Sequence, residues 1–145
     1  IPYNDAVEEA LCFGWIDSIV KKYDAESSAQ RFSPRNPKSK FSQLNKERIK
    51  WLLKKNIVHK SIIPRVVDVA GENFNYPPDI IEKIKQNPEA WRHFQKFPAP
   101  YKRIRVAYIE IARSRPDIFT KRLSNFITKT EKNKFFGFAG IEKYF

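Results

Sequence analysis

An α+β domain, mostly helical, is what this sequence predicts: an N-terminal helix and a short β-hairpin followed by about five helices. Three observations predict it. Trp15 to Tyr23 alternates side chains through a β-branched and aromatic run, "DAESSA" supplies a turn, and Gln30 to Ser33 returns as a second strand. Later segments repeat apolar residues at helical spacing, several of them opened by Asn, Ser or Pro. The 145 residues are 41% hydrophobic and 14% aromatic, enough for a modest core in one domain.

In chain order, residues 4–14 predict a short helix. Asn4 or Asp5 can cap it, Val7, Ala10 and Leu11 share one side, and Gly14 is its natural stop. The hairpin follows, and since an isolated ribbon is marginal in water it needs helices against it. "PRNPKSKFS", residues 34–42, reads as a loop because its prolines remove backbone donors. Asn45 is expected to cap a helix to about Lys55, with Ile49, Leu52 and Leu53 buried and Asn56 at its end. Ser61 is expected to cap the next, with Pro64 in its first turn and Gly71 closing it.

After the connector "ENFNYPP", Ile80, Ile81 and Ile84 mark one helical face, and Asn87-Pro88 pairs a cap with a first-turn proline. "PAP" breaks the chain before Tyr101, Ile104, Tyr108 and Ile111 recur at helical spacing through about Ser114. Pro116 starts a last helix with Phe119, Leu123, Phe126, Ile127 and Thr130 facing inward. Residues 1–132 read as a single domain. The aromatic tail, 133–145, is expected to dock on that domain or on a neighbour, which makes an oligomer through the tail an open expectation.

The formal net charge of +12 attracts phosphate, anionic lipid or acidic protein, although lysine on a solvated surface produces the same balance. Cys12 is the sole cysteine, so an internal disulfide and a cysteine zinc cluster are excluded, and a reducing, cytoplasmic setting fits. His59 and His93 are isolated and carry no metal-ligand spacing; neither metal nor cofactor is expected. No apolar run approaches the roughly 20 residues that span a bilayer. The first residues, Ile1-Pro2-Tyr3, lack Met, so the chain is expected to be a piece of a longer product.

"YNDAVEEALCFGWIDS" and "RFSPRNPKSKFSQLNKERI" resemble the YdeI/OmpD-associated family, also called bacteriocin-protection or OmdA-like proteins. Glu9 through Asp17 follow the family's E-A-L-C-[FY]-G-W-I-D pattern; Phe32, Ser33, Pro34, Arg35, Ser39, Ser42 and Asn45 follow its second motif. The resemblance covers about residues 3 to 130, and "YPPDIIEKIKQNPEAWRHFQKF" and "IEIARSRPDIFTKRLSNFI" resemble the family's helical part. Phe41 stands where such proteins usually carry tryptophan, and "ENFNYPP" is shorter than the corresponding connector. The resemblance further implies N-terminal strands preceding this chain, a bacterial source, and a link to antimicrobial peptides and envelope proteins. It implies no catalytic reaction.

The candidate ligand site combines two groups. Trp15 and Asp17 share a strand face, and Arg31 or Arg35 is expected beside them, so that a carboxylate in an arginine fork lies under an indole. Arg35, Ser39, Asn45 and Arg48 surround the start of a helix, where free backbone donors and basic side chains suit an anion. A structural Asp–Arg bridge and an ordinary capped helix use the same residues. No catalytic residue is assigned. The favoured reading is a non-enzymatic binder of an anionic ligand or a protein partner. Its rivals are a nucleic-acid binder using the basic helices and a small-molecule enzyme using Asp17 with Arg31 or Arg35.

Overall fold

The alternation that predicts the hairpin is realised in a computed structural model, which describes residues 1–135 and 140–145. The elements are α1 (Tyr3–Cys12), β1 (Trp15–Lys22), β2 (Ser28–Pro34), α2 (Gln43–Lys54), α3 (Ile63–Gly71), α4 (Pro78–Lys85), α5 (Pro88–Lys96), α6 (Ala99–Glu110), α7 (Pro116–Glu131) and a 3-10 turn, Glu142–Tyr144. The class is α+β and mostly helical, as expected, with six helices after the hairpin among the described residues rather than about five. The chain divides into two compact units, Ile1–Glu72 and Asn73–Phe145.

In the first unit α1 ends because Gly14 takes φ +74°, a left-handed turn that an L side chain resists. The chain reverses there into β1, which pairs antiparallel with β2: Trp15 opposite Pro34, Ile16 opposite Ser33, Asp17 opposite Phe32, and, past a bulge, Val20 opposite Gln30. The Asp24 carboxylate accepts backbone N–H bonds from Glu26 and Ser27 and so ties the connecting turn. A hydrogen bond from the Ser27 side chain, followed by these backbone bonds, holds its carboxyl below the usual carboxylate range.

The core of this unit is Val7, Leu11 and Cys12 of α1, Ile49 and Leu52 of α2, Val58, Ile62 and Val66, with Phe32 packed against it. Three expected caps are corrected. α1 follows Pro2 and has no side-chain cap; α2 is capped by Ser42, whose hydroxyl accepts from the Asn45 N–H; α3 follows Ile62, again with no side-chain cap. Asn45 therefore sits inside α2, one turn later than the sequence suggested. Asn56 does end α2, with φ +57°.

In the second unit prolines open four helices, and Asn87 caps α5 by accepting from the Ala90 N–H, as expected. Its core joins Ile80, Ile84, Ala90, Phe94, Phe97, Tyr101, Val106, Ile109, Leu123 and Phe126. "PAP" does not break the chain ahead of α6: Ala99 and Pro100 form its first turn. The expected stripe on α6 is also corrected. Tyr108 is 42% exposed and Ile111 71%, while Val106 and Ile109 are buried. Tyr101 and Ile104 point inward as the spacing suggested, but the stripe continues through Ile109 and Ala112. Of the tail, Ile141 and Tyr144 are buried, and Phe135 and Phe145 pack on Tyr101. Those tail residues are thus docked on their own unit; Phe136 and Phe138 lie outside the described residues.

Candidate functional site

The turn at Gly14 fixes a cleft in the first unit. The Gly14 carbonyl accepts from the Arg35 N–H at 2.9 Å, which brings the end of β2 onto the start of β1. The Cys12 carbonyl accepts from the His59 N–H at 3.1 Å, which draws the loop before α3 onto the end of α1. Between these joints lies a cleft of about 440 Å³, lined by Leu11, Gly14, Trp15, Arg35, Pro37, Phe41, Ile62, Arg65 and Val66. That volume lies in the range that takes a small ligand. Its floor is aliphatic, its walls carry Trp15 and Phe41, and its two charged groups are both guanidiniums.

Arg35 is preorganised. Its guanidinium lies over the Phe41 ring, 3.6 Å from the centroid, and its Nη2 donates to the carbonyls of Ser39 at 3.0 Å and Lys40 at 2.5 Å. Its Nη1 is buried and has no hydrogen-bond partner. Burial lowers the guanidinium's pKa, and no carboxylate pairs with it among the described residues. Arg65 lies on the same cleft, and beyond it a second depression carries Lys40 and Lys46. Lys46 is paired with Glu72.

The structure brings Trp15 and Arg35 to one cleft and distributes the other sequence candidates elsewhere. Asp17 shares its face with Trp15, but its carboxylate accepts a 2.6 Å bond from the Tyr3 hydroxyl. No Asp17–arginine fork forms. Asp17 stands opposite Phe32 in the ribbon, so the neighbouring Arg31 projects to the other face, beside Ile19, Lys21 and Ala29. Arg35 lies beyond the last strand pair and turns toward Phe41. Ser39 contributes its backbone carbonyl, as a support for Arg35.

Asn45 and Arg48 form a different cluster. Arg48 is only 3% exposed and donates to Asn45 Oδ1 at 2.9 Å and Asn4 Oδ1 at 2.6 Å, tying α2 to α1. A buried guanidinium satisfied in this way holds helices together. The expected anion site around the start of α2 is therefore split: Arg48 faces the interior, and Arg35 faces the cleft.

Trp15 also borders a shallow apolar groove of about 680 Å³ with Phe13, Phe32, Ala6 and Ala10, rimmed by Asp5 and Glu9. That groove carries no cation. Cys12 is buried, and burial with Glu9 and Glu8 nearby pushes its thiol up to about 11, the opposite of what a nucleophile needs. The Phe13 and His59 rings lie 5.6 Å apart, so histidine and cysteine segments distant in sequence do meet, through backbone and ring contacts. Among the described residues no cluster of His, Cys, Asp and Glu could hold a metal, and no helix is long and apolar enough to cross a membrane.

Reading the sequence alone missed Gly14, Phe41, Ile62 and Arg65 as lining residues. Gly14 was visible as a helix stop and Phe41 as an aromatic exchange. Arg65 was hidden in the apolar run "IIPRVVDVA", where only α3's placement against Gly14 gives it meaning.

A hairpin-and-helix unit with an arginine-lined cleft, followed in sequence by an all-helical unit, defines a two-part α+β protein. Residues 73–133 match the family described as Bacteriocin-protection, YdeI or OmpD-Associated. That match lies within the second unit and begins at the unit's first residue. Residues 1–64 match a separate description, a domain of unknown function (DUF8412). The two N-terminal motifs that carried the resemblance thus fall under this second description, and the helical segments fall under the family itself. No curated protein and no solved structure matches the chain.

Proposed function

We propose that the first unit is a binding module for a small anionic molecule with an apolar, preferably aromatic, body. The anion would sit against Arg35 and Arg65, and the body against Trp15, Phe41 and the aliphatic floor. One observation carries the reading: Arg35, which lines the cleft, is pinned by Phe41 and two carbonyls and has no carboxylate partner among the described residues. A guanidinium held in place through Nη2 keeps its full charge available to a carboxylate or phosphate in the cleft. The protein is read as a non-enzymatic binder, and the enzyme alternative loses support because Asp17 is held by Tyr3 away from both arginines. The family description of the second unit names bacteriocin protection, and ligand binding in tolerance of such peptides is the setting this reading favours.

Calorimetry with benzoate, phenyl phosphate and neutral benzyl alcohol tests it on the full chain. The two anions should bind and the alcohol should not. Arg35→Gln should weaken binding by roughly 10- to 100-fold, the worth of one charged hydrogen bond. Arg65→Gln, at an exposed position, should weaken binding several-fold without altering the fold. Equal binding of the alcohol, or binding unchanged in both variants, defeats the proposal.

A further inference from the structure

A second pair of arginines, Arg105 and Arg122, meets in the other unit. Tyr108 of α6 projects to the surface instead of into the core. Arg122 of α7 lies on its ring, 3.7 Å from guanidinium carbon to centroid, and donates from Nη1 to the Tyr108 carbonyl at 2.7 Å. Arg105, one turn before Tyr108, places its guanidinium 5.1 Å from the same ring. Two positive groups thus share one aromatic platform.

Their surroundings do not neutralise them. Arg113 of the same unit is bound by Asp79 and Glu110, and Arg92 by Glu89. Among the described residues neither Arg105 nor Arg122 has a carboxylate partner. Arg105 Nε is also buried with no hydrogen-bond partner. Burial lowers the pKa of Arg105, and the nearby charge of Arg122 acts in the same direction to a smaller extent. Lys and Arg outnumber Asp and Glu across this unit, which adds a favourable field for any anion that arrives.

We propose that Arg105 and Arg122, spaced by Tyr108, form a phosphate-binding subsite on the second unit. Guanidinium forks match phosphate oxygens and stack on aromatic rings, and an arriving phosphate would offset the repulsion between the two cations. The subsite is independent of the cleft in the first unit, since no residue is shared.

The test follows arginine Nε–Hε resonances of the full chain by NMR while inorganic phosphate is added, with chloride at equal ionic strength as control. Two further arms use a single-stranded oligonucleotide and vesicles of phosphatidylglycerol with phosphatidylcholine. Whichever phosphate source binds most tightly through Arg122 identifies where the group comes from. Saturable shifts at Arg105 and Arg122 are expected with at least one source. Arg122→Gln should weaken that binding at least fivefold, and Arg122→Lys at least threefold because the charge remains but the fork does not. No saturable shift with any source overturns the proposal, as does unchanged affinity in both folded variants.

Discussion

Replacing Gly14 by alanine, beside the same change at Gly71, tests how the first unit is built. At Gly14 φ is +74°, a conformation that costs an L residue roughly 1–2 kcal/mol. The new Cβ would stand 3.0 Å from Ile62 Cδ1, so the isoleucine must give by a few tenths of an ångström. Alanine also restricts the unfolded chain, which returns about 0.4–1 kcal/mol. The net expectation is a loss of about 1–2 kcal/mol. At Gly71, the last residue of α3, an added Cβ meets nothing within 4 Å. There the helix preference of alanine should raise stability, by up to about 1 kcal/mol. One chemical change is thus expected to act with opposite signs within one unit. Urea unfolding of the full chain reads it, with Trp91→Phe as background so that Trp15 and Trp51 of the first unit report. The midpoint should fall for Gly14→Ala and rise for Gly71→Ala, at constant slope. Equal shifts, or a rise at Gly14, would refute the reasoning that the turn and Ile62 define this joint.

Three further outcomes follow from the packing and charges. Leu52 is 1% exposed in the first unit's core, so Leu52→Ala should cost about 2–5 kcal/mol by the same assay; a loss below 1 kcal/mol would contradict the core assignment. The hydrogen bonds from Arg113 hold the Asp79 carboxyl below its ordinary value in the folded state. Its stabilisation is therefore complete above the unfolded carboxyl pKa of about 3.9 and lost as pH falls through the lower folded value. Below about pH 5 the melting temperature of the wild type should accordingly fall more steeply than that of Asp79→Asn; parallel curves would remove the pair from the account. Cys12, buried with its thiol at about 11, should react with iodoacetamide at pH 8 far more slowly than a free cysteine, and at the ordinary rate once urea unfolds the chain. Fast labelling of the native protein would contradict its burial.

The elements were legible where local chemistry decides them. Gly14 as a helix stop, the alternating ribbon, and Asn87 before a first-turn proline all rest on neighbours in sequence, and the structure keeps all three. Caps were less legible because several polar residues compete at each helix start. Ser42 and Asn45 both suit a cap at the start of α2, but the serine hydroxyl accepts from the Asn45 N–H and the asparagine side chain turns inward to Arg48. The α6 stripe misled for a related reason. Tyr108 has helical spacing from Tyr101, but its ring is covered by arginine side chains rather than by the core, and no single-helix pattern can tell those coverings apart.

The site was half legible. Trp15 and Arg35 meet at one cleft, whereas Arg31 was lost to strand parity: Asp17 opposite Phe32 sends the residue before Phe32 to the far face. Arg65 depends on α3 closing over Gly14, a tertiary event without a local signal.

Arg35 is proposed to anchor an anion in the first unit's cleft, and a crystal structure of the full chain grown with phenyl phosphate decides the matter. A phosphate oxygen is expected within hydrogen-bond distance of the Arg35 guanidinium, with the phenyl ring between Trp15 and Ile62. A cleft holding only water, or a probe bound away from Arg35, rules the proposal out.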